Sequence, residues 1–142
     1  MGKDMDWLEE LRLKGRGGSR RVAPRRREHE IQAACVRWFN LAYPRLRGRL
    51  FAVPNGGHRL RSTASALKAE GVVAGVSDLI LLKPSRGFGA LLIEMKTSEG
   101  RQSAAQEEWM RIVMSEGEYK YVICRSVEDF MKEVVNYLDK IK

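Results

Sequence analysis

The chain has 142 residues, of which 44% are hydrophobic, a size and composition that suit one compact domain with a single core. No apolar run approaches the roughly 20 residues that a membrane-spanning helix needs, and the first residues lack the apolar stretch of a secretory signal, so we expect a soluble, cytoplasmic protein. The 26 Lys and Arg residues exceed the 18 Asp and Glu residues, and the resulting net charge of +8 favours contact with the phosphates of nucleic acids.

The first 27 residues form a predicted basic arm in front of a domain that spans residues 28–142. This segment holds nine Lys or Arg against four acids, and every charged residue from Arg12 to Arg27 is positive. Its Gly- and Arg-rich part is not expected to build a core of its own. Contact with nucleic-acid phosphates is the favoured interpretation, and a solvated tail that aids solubility is the alternative.

The domain opens with a predicted helix from Glu28 to Ala42. Its apolar residues recur at steps of three and four, which indicates one buried face: Ile31, Cys35, Trp38, Phe39 and Ala42. Pro44 ends this helix. A short strand at 49–53, a turn at Asn55-Gly56-Gly57 and a short helix at 62–70 follow.

Two apolar runs, 78–83 and 90–96, are joined by a segment with proline and glycine and predict a β-hairpin. Ser103 and Gln106 fit a capping box that opens a helix running towards Gly117. Residues 119–124 alternate as a strand, and Ser126 opens a final helix whose apolar positions are Phe130, Val134, Val135 and Leu138. The predicted order is helix, three strands with a small helical insert, helix, strand, helix.

The hairpin gives the strongest indication of chemistry. Pairing centred near Arg86 or Gly87 places Asp78 opposite Glu94 to within about one residue. Alternation puts Glu94 and Lys96 on one face, while Met95 points away and leaves its carbonyl near the site. Two carboxylates in an apolar sheet are costly unless a cation compensates them, which predicts a Mg²⁺ site. The alternative is a strand cap at Asp78 and a surface pair of Glu94 with Lys96.

Several segments resemble the VRR-NUC family of PD-(D/E)XK nucleases, especially its standalone phage-type members. The resemblance runs from about residue 28 to residue 138 and rests on motifs in a fixed order: Val53-Pro54-Asn55-Gly56-Gly57, Leu67-Lys68-Ala69-Glu70-Gly71-Val72, Ala74-Gly75-Val76-Ser77-Asp78-Leu79, Ile93-Glu94-Met95-Lys96 and Ser103-Ala104-Ala105-Gln106. It implies a restriction-endonuclease-like α/β fold, with a central mixed β-sheet flanked by helices. It also implies dependence on Mg²⁺ or Mn²⁺ and DNA as the substrate.

The resemblance assigns catalytic positions to Asp78, Glu94, Lys96 and Gln106, although the capping box accounts for Gln106 equally well. Ser77 departs from the proline that the family usually has before the aspartate. A further glutamate comes from the first helix, and Glu28 is preferred to Glu30 because it shares the face of Ile31 and Cys35. The expected metal ligands are Glu28, Asp78, Glu94 and the carbonyl of Met95.

The expected partners are DNA and a second copy of the chain. Phosphate contacts are predicted for the Gly-rich loop before the short helix, at Asn55, His58, Arg59 and Arg61; an exposed polar loop is the alternative. The resemblance implies a homodimer with a preference for branched DNA. Two other functions stay open: a DNA-binding protein without catalysis, and a ribonuclease.

Overall fold

A computed structural model of the protein describes residues 24–54 and 61–139, with side chains at 26–54 and 64–139. The elements in chain order are α1 (Pro24–Ala42), a 3₁₀ helix (Pro44–Leu46), β1 (Leu50–Ala52), α2 (Arg61–Ala69), β2 (Leu79–Leu81), β3 (Leu91–Met95), α3 (Ala104–Met114), β4 (Lys120–Cys124) and α4 (Val127–Leu138). The predicted order of elements is therefore confirmed.

Helix α1 begins at Pro24, four residues before the predicted start at Glu28. Proline suits the first turn of a helix because its φ is already helical and its missing N–H would have no partner there. The arginines that follow it are good helix formers. The last part of the predicted arm therefore belongs to α1, and residues 1–23 lie outside the described part of the chain.

The four strands form one mixed sheet in the order β1-β2-β3-β4. β1 pairs with β2 and β2 with β3 in antiparallel fashion, whereas β3 and β4 are parallel. A parallel pair needs a crossover connection, and α3 lies within this one. This arrangement confirms the predicted α/β class with a central mixed sheet flanked by helices.

The register of the hairpin fixes the relation between Asp78 and Glu94. Leu79 pairs with Ile93 and Leu81 with Leu91, so one further step places Asp78 beside Glu94. The connecting turn has positive φ at Arg86 (52°) and Gly87 (82°). Ser85 and Phe88 close it with two backbone hydrogen bonds of 2.9 and 2.8 Å. The pairing centred near Arg86 is thus confirmed.

One face of the sheet carries the hydrophobic core. The residues of β3 that point to this face are Leu91, Ile93 and Met95, and they pack with side chains of α1 and α4 that include Cys35, Phe39, Phe130 and Val134. Two expectations for this core need correction. Ala42 is exposed at the last position of α1. On α4, Tyr137 is fully buried, whereas the predicted Val135 is only half-buried; the predicted Leu138 is half-buried and packs against the core.

The opposite face of the sheet is covered in part by α3. The ring of Trp109 on α3 lies 6.3 Å from that of Tyr121 on β4, centroid to centroid. Because neighbouring strand residues alternate faces, Leu92 and Glu94 of β3 point to this side, away from the core. Across residues 24–54 and 61–139, no helix is both long and apolar enough to cross a bilayer.

Candidate functional site

The two acidic residues of the hairpin meet where β2 begins and β3 ends. Glu94 is fully buried, with 0% of its surface exposed, and Asp78 is half-buried. The backbone N–H of Met95 donates to Oδ2 of Asp78 at 2.7 Å. This bond ties the carboxylate that precedes β2 to the last residue of β3.

Both oxygens of Glu94 have partners. Nε2 of Gln106 donates to Oε1 at 2.9 Å, and the hydroxyl of Tyr121 donates to Oε2 at 3.3 Å. Nζ of Lys96 lies 3.9 Å from Oε1, with 12% of the lysine side chain exposed. The lysine and the glutamate therefore share the face that alternation predicted for them.

Burial of Glu94 raises the pKa of its carboxyl group from the ordinary 4.5 to about 8. A hydrogen bond to Asp78 and the negative charge of Asp78 add to this rise, while Lys96 and the hydroxyl of Tyr121 oppose it. Two carboxylates in one buried site repel each other unless a proton or a cation lies between them. The raised pKa of Glu94 has this cause in addition to burial, and the oxygen atoms of the pair are the ligands that hard divalent cations prefer.

Gln106 reaches Glu94 from the first turn of α3. The backbone N–H of Ser103 donates to its Oε1 at 2.8 Å, and its own N–H donates to Oγ of Ser103 at 3.2 Å, which completes the capping box. The nitrogen of the same terminal amide group donates to Oε1 of Glu94. The helix-capping role and the contact with the site therefore occur in the same side chain.

The start of α3 is held against the site by close backbone packing at Gly75. Gly75 has φ +85°, and a Cβ atom there would lie 2.2 Å from the carbonyl oxygen of Ala105. Only glycine combines this backbone conformation with such an approach. Gly75 thus sets the distance between the segment that leads to Asp78 and the turn that carries Gln106.

Lys96 follows the last residue of β3 and begins a loop that is held by hydrogen bonds to residues 124 and 125. Its backbone N–H donates to the carbonyl of Cys124 at 2.9 Å, which extends the pairing of β3 with β4 by one residue. The guanidinium of Arg125 donates to the carbonyls of Thr97 and Gly100 at 2.8 and 2.6 Å. These bonds fix the chain on both sides of the lysine.

Tyr121 and Gln102 belong to the site but were not predicted from the sequence. Nε2 of Gln102 donates to the hydroxyl of Tyr121 at 3.1 Å. Burial and the nearby charge of Glu94 raise the pKa of Tyr121, so its hydroxyl remains protonated. The alternation of β4 places Tyr121 on one of two faces, but the register that puts it beside Glu94 depends on a parallel pairing that the sequence does not specify.

The two candidate glutamates of α1 lie in different environments. Glu28 is half-buried, whereas Glu30 is exposed and forms an ion pair with Arg26 at 3.5 Å. This difference agrees with the preference for Glu28. Among the described residues, however, no group of three or more His, Cys, Asp or Glu side chains is arranged to hold a metal ion. Glu28 is not brought into such a group with Asp78 and Glu94, and its role as a ligand stays a prediction.

The other predicted contacts are not tested. Asn55, His58 and Arg59 lie outside the described residues, and Arg61 begins α2 without a described side chain. Their contacts with DNA stay predictions, as does coordination by the carbonyl of Met95.

Comparison with known proteins gives a family match and a structural match. The family profile for the VRR-NUC domain matches residues 21–128. A solved structure described as a "VRR_NUC domain protein" superimposes with a TM-score of 0.65 and 22% sequence identity, over 78% of this chain and 87% of that chain. At this identity the superposition shows a shared fold. No curated protein matches the chain significantly.

Proposed function

The chain belongs to the VRR-NUC domain family, and on that premise we propose that it is a deoxyribonuclease that hydrolyses phosphodiester bonds with Mg²⁺ or Mn²⁺. The family is of the nuclease type. The observation that carries the proposal is the buried pair of Asp78 and Glu94, with Lys96 beside it at the end of one hairpin.

The donor set at this place fits a hard divalent cation. Asp78 and Glu94 lie next to each other at the end of the hairpin, and the raised pKa of Glu94 supports a site in which two carboxylates have too little positive charge around them. Oxygen ligands of this kind suit Mg²⁺ and Mn²⁺. Asp78 and Glu94 would hold the cation, and Glu28 and the carbonyl of Met95 are proposed as further ligands. When bound, the cation supplies Lewis acidity and a water of lowered pKa.

The remaining side chains of the site have separate tasks in this proposal. The ammonium group of Lys96, 3.9 Å from Glu94, would orient the attacking water or neutralise charge on the phosphate that is being cleaved. Gln106 holds one oxygen of Glu94 and so keeps the carboxylate in a fixed orientation. The backbone of both residues is held in place, since the N–H of Lys96 donates to Cys124 and Gln106 is part of the capping box with Ser103.

The distribution of charge supports DNA as the substrate. Residues 1–54 hold 13 Lys or Arg against six acids, whereas residues 96–142 hold eight against nine. In the described part, Arg37, Arg45, Arg47 and Arg49 are all exposed. Such an excess of positive charge in the N-terminal part of the sequence suits a phosphate backbone, and we propose that Asn55, His58, Arg59 and Arg61 add contacts next to the site.

We further propose that the protein acts in the cytoplasm as a homodimer and prefers branched DNA. Two-fold symmetry is the commonest arrangement of identical subunits. It would allow two small subunits to reach two strands of one junction. Gel filtration with light scattering tests the homodimer, and cleavage of matched duplex and four-way junction substrates tests the preference for branched DNA.

The proposed function is tested with supercoiled plasmid incubated with Mn²⁺ or with EDTA. We expect nicking with Mn²⁺ and none with EDTA, and a loss of roughly 10²- to 10³-fold in rate for Asp78→Ala and Lys96→Ala. DNA affinity, measured separately by fluorescence anisotropy, should persist. Lys132→Ala is the matched control because Lys132 is exposed on α4.

Three outcomes would overturn this proposal or the residues assigned in it. Binding of DNA that is independent of metal, without nicking, would identify a non-catalytic DNA-binding protein. Preferential cleavage of labelled RNA over linear duplex and four-way junction DNA would identify a ribonuclease. Equal loss of cleavage and binding in Asp78→Ala and Lys96→Ala would remove the catalytic assignment of these residues.

A further inference from the structure

The carboxylate of Glu94 is held from two sides by different elements. Gln106, on the first turn of α3, donates to Oε1 at 2.9 Å. Tyr121, on β4, donates to Oε2 at 3.3 Å. The terminal torsion of a glutamate is broad and prefers no single staggered orientation, so these two donors fix the plane of the carboxylate.

The hydroxyl of Tyr121 is itself oriented by Gln102. A phenol has one hydrogen to donate, and its oxygen can also accept. Because Nε2 of Gln102 donates to that oxygen at 3.1 Å, the hydrogen of the hydroxyl is free to point at Glu94. The amide of Gln102 also lies 3.6 Å from the sulfur of Met110 on α3, which limits the rotation of this side chain.

The ring of Tyr121 is fixed as well. Tyr121 pairs with Leu92, and Glu94 pairs with Ile123, in the parallel ladder between β3 and β4. The ring of Trp109 packs against that of Tyr121 at 6.3 Å between centroids. The hydrogen-bonded series from Gln102 through Tyr121 to Glu94 therefore connects the segment before α3 with two strands of the sheet.

We propose that Tyr121 is a positioning residue for the cation-binding carboxylate, and that Gln102 directs its hydroxyl to Oε2 of Glu94. This inference rests on the proposed function, because it takes Glu94 as a ligand of Mg²⁺ or Mn²⁺. Side chains that orient a metal ligand contribute about 10- to 100-fold in metal affinity or activity. Tyr121 has this relation to Glu94 without being a ligand itself.

The test compares Tyr121→Phe with Tyr119→Phe. Tyr119 lies two residues earlier and is 37% exposed, and its hydroxyl has no hydrogen bond to residues in the described part of the chain. Calorimetric titration with Mn²⁺ should show a dissociation constant raised roughly 10-fold in Tyr121→Phe and unchanged in Tyr119→Phe. With DNA, kcat should fall in Tyr121→Phe at a fixed, subsaturating Mn²⁺ concentration while KM for DNA stays the same.

Gln102→Met provides a second variant along the same series. It should weaken Mn²⁺ binding less than Tyr121→Phe does. It should have no further effect when Tyr121 is already phenylalanine, because its contribution passes through the hydroxyl. Independent, additive effects of the two substitutions would overturn the role given to Gln102.

Crystal structures of the metal-free wild type and Tyr121→Phe give a readout that does not depend on activity. The Glu94 carboxylate should rotate or adopt several conformers in the variant. An unchanged carboxylate with unchanged Mn²⁺ affinity would overturn the inference, and so would a lowered melting temperature as the sole effect. If the wild type neither binds Mn²⁺ nor cleaves DNA, the proposed function fails, and the orientation of Glu94 in the two crystal structures still decides whether Tyr121 positions it.

Discussion

Replacement of Gly75 by alanine perturbs the backbone contact that places α3 against the site. The new Cβ would lie 2.2 Å from the carbonyl oxygen of Ala105 and 2.7 Å from the backbone nitrogen of Gln106. Backbone atoms cannot rotate aside as the end of a side chain can. Either the segment before Asp78 or the first turn of α3 must therefore move, and Gln106 would be displaced relative to Glu94.

Two costs contribute to the expected loss of stability. An L-residue in the left-handed region of φ costs about 1–2 kcal/mol, and forcing packed atoms apart costs about 1–3 kcal/mol more. We expect Gly75→Ala to lower the free energy of unfolding by about 2–5 kcal/mol. Gly87→Ala is the matched control, because Gly87 has φ +82° and a Cβ there would meet nothing within 4 Å.

Urea unfolding followed by circular dichroism measures both variants against the wild type. Both Gly-to-Ala variants share the reduced entropy of the unfolded chain. The difference between their free energies of unfolding therefore measures the steric clash at residue 75. Plasmid nicking, measured well below both unfolding midpoints, should fall in Gly75→Ala and remain near the wild-type rate in Gly87→Ala. Equal destabilisation and equal nicking in the two variants would refute the role of the close approach.

Three other substitutions test separate interactions. Without divalent cations, the raised pKa of Glu94 means that the folded protein binds this proton more tightly than the unfolded chain. The free energy of unfolding should therefore decline by up to about 4 kcal/mol as pH rises from about 4.5 through 8. Urea titrations at each pH should show this decline in the wild type but not in Glu94→Gln. An equal decline in both proteins would contradict the raised pKa of Glu94. Ser103→Ala removes the cap of α3 and should cost about 1 kcal/mol in the same assay, so no loss would speak against the capping box. Tyr137→Phe leaves the carbonyl of Lys83 without its 2.6 Å donor and should lower the unfolding free energy by about 1–3 kcal/mol, against no change in Tyr119→Phe.

The fold was largely predictable because its elements have strong local signals. The hairpin register follows from two apolar runs close together in the sequence and from a turn with positive φ at Arg86 and Gly87. The start of α3 follows from the capping box at Ser103. Helix boundaries were harder to predict. The arginines before Glu28 are compatible with either a loop or a helix, and in the structure they belong to α1, which begins at Pro24.

The site was predictable only where a single hairpin defines it. Asp78 and Glu94 are neighbours through local antiparallel pairing, so spacing alone brings them together. Tyr121 approaches Glu94 through a parallel pairing across α3, whose register no local pattern specifies. The tyrosine could be recognised as part of a strand but not as a partner of the glutamate. The dual contact of Gln106 likewise depended on the packing at Gly75, which sequence spacing does not report.

The most direct measurement is calorimetric titration of Mn²⁺ into the full chain and into Asp78→Asn, each alone and with DNA that carries a non-hydrolysable linkage. The account predicts saturable uptake by the wild type, strengthened by DNA, and strongly weakened uptake by the variant, which keeps the size of the side chain but removes its charge. Absence of uptake by the wild type even with DNA, or equal uptake by both proteins, would contradict the claim that these carboxylates bind the catalytic cation.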